Sequence, residues 1–114
     1  MTELPIIDRE RLAKVCMGKP EMAREFIDLL IEEVAPAIAA LPASVAAGDT
    51  AAVREGAHSV KGMAGNVGAA RLQAAALILE RSAAEVSDAT VLSANVAGLV
   101  DALLELRTER ESVT

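Results

Sequence analysis

Residues 50–67, "TAAVREGAHSVKGMAGNV", decide the fold. On a wheel at ~100° per residue, Val53, Ala57, Val60, Ala64 and Val67 gather into one apolar stripe, the core face of an amphipathic helix. His58, the chain's one histidine, stands roughly 140° from the centre of that stripe. Gly62 lies nearly opposite the core, and Gly65 falls within about 20° of His58. Lys61 is one turn further on, on the flank nearer the core. A helix-interior glycine costs ~1 kcal/mol relative to alanine, and alanine is the commonest residue of this chain. Outward glycines free no space inside a bundle. They leave bare surface beside an exposed imidazole and a cation, which suits a visiting protein. The plainer readings are a solvated histidine, a solvated lysine, and "GNVG" as a simple helix end.

Helices extend on both sides of this one. Asp8 can cap a short helix, "RERLAKVCM", that Gly18 stops. Pro20 suits the first turn of a second, "PEMAREFIDLLIEEV", with Met22, Phe26, Leu29, Leu30 and Glu33 or Val34 at three- and four-residue steps. Pro36 predicts a kink or a fresh start, Pro42 offers the same, and the pattern runs through Ile38, Leu41 and Val45 to Gly48. Asp49 caps the quoted helix, which should end near Asn66 to Gly68. A fourth helix, "ARLQAAALILERSAAEV", carries Leu72, Ala76, Leu79 and Ala83 on one stripe. Ser87 or Asp88 caps a last one, with Leu92, Val96, Leu99, Leu103 and Leu106 inward. The expected fold is all-α: an antiparallel up-and-down four-helix bundle with a short additional N-terminal helix. It forms one domain over 1–114, with 1–7 and 108–114 expected to fray.

Composition agrees. Hydrophobic residues make up 53% of 114, yet Phe26 is the single aromatic, so Ala, Leu, Val and Ile must build the core. One cysteine, Cys16, excludes an internal disulfide and a cysteine metal cluster, and reads as a small helical residue. The net charge of −6 argues against nucleic acid and against an anionic membrane surface. No uninterrupted apolar run reaches the ~20 residues of a membrane span, and "MTELPIIDRE" lacks signal-peptide character. A cytoplasmic location follows as the expectation.

The stretch "AHSVKGMAGNVGAARLQAAALILE", 57–80, resembles the signature of histidine phosphotransfer (HPt) domains. The matching residues are Ala57, His58, Val60, Lys61, Gly62, Ala64, Val67, Gly68, Ala69, Leu72 and Glu80, and the "IIDRERL" opening, Phe26, Pro36 and "AAGD" at 46–49 are also similar. The resemblance implies that His58 accepts and donates a phosphoryl group and that Lys61 neutralises its oxygens. Gly62 would leave clearance, with Gly65 beside it. Glu80 would hydrogen-bond or adjoin the imidazole; an ion pair with Arg81 or Lys61 is the alternative.

The chain would then be a phosphocarrier rather than an enzyme, without an ATP-binding or autokinase half. It would have no intrinsic cofactor or metal and would rely on Mg²⁺ held by a receiver domain. Partners would be response-regulator receivers and a sensor or hybrid histidine kinase, with the bundle a monomer. Because receivers are commonly acidic too, docking should use an apolar patch. Met17, Met22 and Met63 are either adaptable contacts there or core. Two rivals are a helical adaptor that docks a receiver or kinase without carrying phosphate, and a dimerising kinase core. The first gives no reason to keep His58 and Lys61 together; the second needs a nucleotide-binding partner.

Overall fold

Capping carboxylates and prolines set where the helices begin. The computed structural model describes residues 4–85 and 88–113. Asp8 accepts from the Arg11 amide and opens α1 (Arg9–Val15). Pro20 sits in the first turn of α2 (Pro20–Ala39), where its missing N–H has no partner to lose. A short α3 (Leu41–Ala46) follows. Asp49 then caps α4 (Thr50–Val67) through the Ala52 amide. After α5 (Ala70–Glu85), Asp88 caps α6 (Ala89–Glu109) through the Thr90 amide. Ser87, the other cap candidate, lies outside the described residues. One 3-10 turn, Arg110–Ser112, ends the described chain.

The chain folds as an all-α bundle in which α2, α4, α5 and α6 are the long helices, and α1 packs against α4 and α2. The three stripes read from the sequence form the core: Val53, Ala57, Val60 and Ala64 on α4, Leu72, Ala76, Leu79 and Ala83 on α5, and Leu92, Val96, Leu99, Leu103 and Leu106 on α6 are buried, with Val67 at the end of α4 partly buried. Cys16 is a free, buried thiol at the end of α1, and burial pushes its pKa up. Two helical stretches, Pro20–Ala46 and Ala89–Ser112, are long and apolar enough to cross a membrane by length and composition alone. In the bundle their large side chains Ile27, Leu30, Leu99 and Leu106 face the core.

Three expectations are corrected. Pro36 neither stops nor restarts α2; it is exposed, so the Glu32 carbonyl it leaves without a partner can bond water. The restart comes at Leu41, with Pro42 in the first turn of α3. On α2 the buried line is Ile27, Leu30, Val34 and Ile38, whereas Leu29 is half exposed and Met22 and Phe26 are only partly buried. Nor do the described terminal residues fray. Ile7 is buried, and the Asp8 amide donates to the Gly68 carbonyl at 2.7 Å.

At the other end, Arg110 grips Asp28 with two guanidinium nitrogens, Arg24 bonds Glu111 at 3.0 Å, and Val113 is buried. The hydrogen bond from Arg110 holds the Asp28 carboxyl below its usual range. A polar tail looks solvated in sequence because its partners here are 82 to 87 residues away.

Candidate functional site

The α4–α5 turn sets the register of the site. Gly68 adopts a left-handed backbone with φ +92°, and an added Cβ would come within 2.8 Å of the Asp8 carbonyl oxygen. The Gly68 and Ala69 amides both donate to the Ala64 carbonyl, so α4 ends sharply and α5 starts at once. His58 lies ten residues before Gly68 and Glu80 eleven after Ala69. Two antiparallel helices joined this tightly bring those positions to the same height.

There the side chains meet. His58 Nδ1 lies 2.5 Å from Glu80 Oε2, and Lys61 Nζ donates to Glu80 Oε1 at 2.6 Å. The imidazole is 68% exposed, Lys61 27% and Glu80 18%. The hydrogen bond from Lys61 holds the Glu80 carboxyl below its usual range; burial pushes the other way, and the His58 hydrogen bond adds to the lowering. An ionised carboxylate only accepts, so Nδ1 is the nitrogen that carries the hydrogen. In the neutral ring the lone pair therefore sits on Nε2. No hydrogen bond among the described residues engages that nitrogen.

Of the alternatives for Glu80, the structure has two at once: it binds the imidazole and Lys61 through separate oxygens. Gly62 is exposed, and an added Cβ would meet nothing within 4 Å among the described residues. Gly65 departs from expectation. Its Cβ would come within 2.6 Å of Gln73 Nε2 on α5, so it belongs to the helix contact and not to the bare patch. Gly56 has a packing reason that the sequence reading did not supply, since a Cβ there would press on Leu41 Cδ2 at 3.1 Å.

Two depressions flank this face. One of about 330 Å³ is lined by Ala51, Arg54, Glu55, His58 and Glu80. The other, about 210 Å³ and mostly apolar, runs between α2 and α4 past Phe26, Leu29, Met63 and Val67. Of the methionines offered as contacts, Met22 and Met63 are partly buried against the core, while Met17 is 82% exposed.

The Hpt domain family model matches residues 25–109, which span α4, α5 and the His58–Lys61–Glu80 cluster. The chain belongs to the Hpt domain family. As an Hpt domain it is a histidine phosphotransfer module of phosphorelays, a class of phosphocarriers that work with response regulators and kinases. Its fold is similar to that of histidine-containing phosphotransfer protein B (HptB) from Pseudomonas aeruginosa PAO1. The TM-score is 0.73 at 25% identity, over 98% of this chain and 100% of that one. A rice protein solved as a candidate histidine-containing phosphotransfer protein shares the fold at TM-score 0.76 and 16% identity. That match covers 95% of this Hpt domain and 79% of the rice chain. No curated protein sequence matches this Hpt domain.

Proposed function

We propose that His58 is the phosphoryl acceptor and donor of this Hpt domain. It would receive the group from a receiver aspartate or a kinase assembly and pass it to a response-regulator aspartate. The observation that carries this reading is a ring held through Nδ1 by an ionised Glu80, on a side chain that is 68% exposed and whose Nε2 is unbonded among the described residues.

The Nε2 lone pair attacks phosphorus of the aspartyl phosphate. An N–P bond forms as the P–O bond to the aspartate breaks, and its electron pair leaves on the carboxylate. The hydrogen on Nδ1 stays in place, so the ring becomes cationic opposite Glu80. Such transfers pass through a loose in-line transition state that needs positioning and charge compensation more than covalent help. Lys61 gives one ammonium hydrogen to Glu80 and has two more for the phosphoryl oxygens.

Gly62 supplies clearance for the incoming receiver, and the apolar groove along Phe26, Leu29 and Met63 is the docking surface beside it. Mg²⁺ is held by the receiver's own carboxylates in this scheme. The working species is a cytoplasmic monomer.

Incubation with a phosphorylated receiver tests the assignment. Wild type should gain an acid-labile label and His58→Gln none, with helicity unchanged. Label persisting on the variant removes His58 from the role. Binding of a receiver by wild type with no transfer would instead favour the adaptor reading.

A further inference from the structure

Arg54 precedes His58 by four residues on the same flank of α4, about 6 Å along the axis and about 40° round. Helical side chains lean toward the N-terminus, so the imidazole lies over the turn that Arg54 begins. The two residues line one open depression together with Ala51, Glu55 and Glu80. Lys61, the other cation at this ring, is engaged by Glu80 at 2.6 Å. Arg54 has no hydrogen bond or ion pair to an acid among the described residues.

Charge balance then points outward. Lys61 and Glu80 cancel as a pair, while a phosphoryl group on a side chain brings close to two negative charges at neutral pH. The cationic ring offsets part of that. Glu55 lines the same depression and opposes an anion there. A planar guanidinium presents two parallel N–H groups that match two phosphoryl oxygens.

We infer that Arg54 is a second phosphoryl-binding residue of the site, contacting the oxygens of the group carried on His58 from the side opposite Lys61. This rests on the reading of His58 as the acceptor. Arg54 is exposed, so its replacement leaves the core untouched.

Phosphoramidate is the probe, because it offers a phosphoryl group with no protein surface attached. The N–P bond to His58 forms as the N–P bond of the donor breaks, and the departing nitrogen takes the electron pair and a solvent proton to leave as ammonia. Phosphorus NMR follows the product. Arg54→Gln should slow uptake about tenfold, the scale of one charge-assisted hydrogen bond at a partly exposed site. It should also raise the pH at which the bound phosphoryl group takes up a proton, with Arg54→Lys in between.

Wild-type uptake and an unchanged phosphorus titration in Arg54→Gln would overturn the inference. So would a defect seen only with a phosphorylated receiver, since the guanidinium would then be touching the receiver and not the phosphoryl group. A phosphorus signal persisting in His58→Gln would instead bring down the acceptor reading itself.

Discussion

Gly62 and Gly65 are three residues apart on α4, and only Gly62 faces open space. On a wheel the two fall on neighbouring outward faces with His58 between them. In the bundle, Gly65 sits under Gln73 of α5, while none of the described residues comes within 4 Å of a Cβ on Gly62. The difference is height. Gly65 is close to the Gly68–Ala69 turn, where α4 and α5 must converge; nearer His58 the helices have room for Lys61 and Glu80 between them. An angle around a helix says which way a residue points, and the distance to the next turn says whether a neighbour is already there.

Five substitutions would sharpen or break that contrast. The largest effect is expected from Gly62→Leu. It should slow transfer from a phosphorylated receiver by about a hundredfold or more, because a small misplacement of reacting groups already costs that much. Its stability should not fall, since leucine is the better helix former. Rapid-quench transfer and urea unfolding check the two halves; a large stability loss would mean that Gly62 is packed.

The same leucine at Gly65 should do the reverse, lowering stability by about 1–3 kcal/mol through overpacking against Gln73. Unfolding that matches wild type would show that the α4–α5 contact is looser than the geometry indicates.

Next is Glu80→Gln, expected to cost roughly 1 kcal/mol of stability near neutral pH as the charge-assisted bonds weaken. The sign of the pH effect follows from the lowered Glu80 pKa. The stabilising contribution is fully present above the ordinary glutamate range and fades as pH falls through the lowered folded-state value. Unfolding curves of wild type and variant should therefore converge in acid, and a gap that widens on acidification would contradict the ion-paired carboxylate.

The smallest effect is that of alanine: Gly62→Ala should stabilise by about 0.5–1 kcal/mol. At Gly65 the flexible Gln73 must shift, and the gain should shrink to within about 0.5 kcal/mol. Equal gains at both positions would erase the contrast.

Much of the fold was legible because helical burial repeats locally. The stripes on α4, α5 and α6 needed only the 3.6-residue period, and Asp8, Asp49 and Asp88 were readable as caps three or fewer residues from the amides they accept. What escaped involves partners distant in sequence. Arg110 with Asp28 and Arg24 with Glu111 turn a polar tail into a docked turn, and nothing within the tail signals that.

The same limit applies inside the site. His58, Lys61 and Gly62 share one helix, so their proximity follows from spacing alone. Glu80 comes from the next helix, and counting near-equal distances from the Gly68–Ala69 turn, ten residues back and eleven on, reaches it without the family resemblance. At Pro36 the sequence offered a kink or a fresh start, and the fresh start does not come there: α2 runs on, with the proline on an exposed face where water can take the carbonyl it leaves without a partner.

The central claim concerns which nitrogen is free. Phosphorylating the protein with ¹⁵N-labelled histidine and reading the phosphorus–nitrogen coupling by NMR identifies the bonded atom. The account predicts phosphorus on Nε2, with the hydrogen on Nδ1 still bonded to Glu80. Phosphorus on Nδ1 would contradict it.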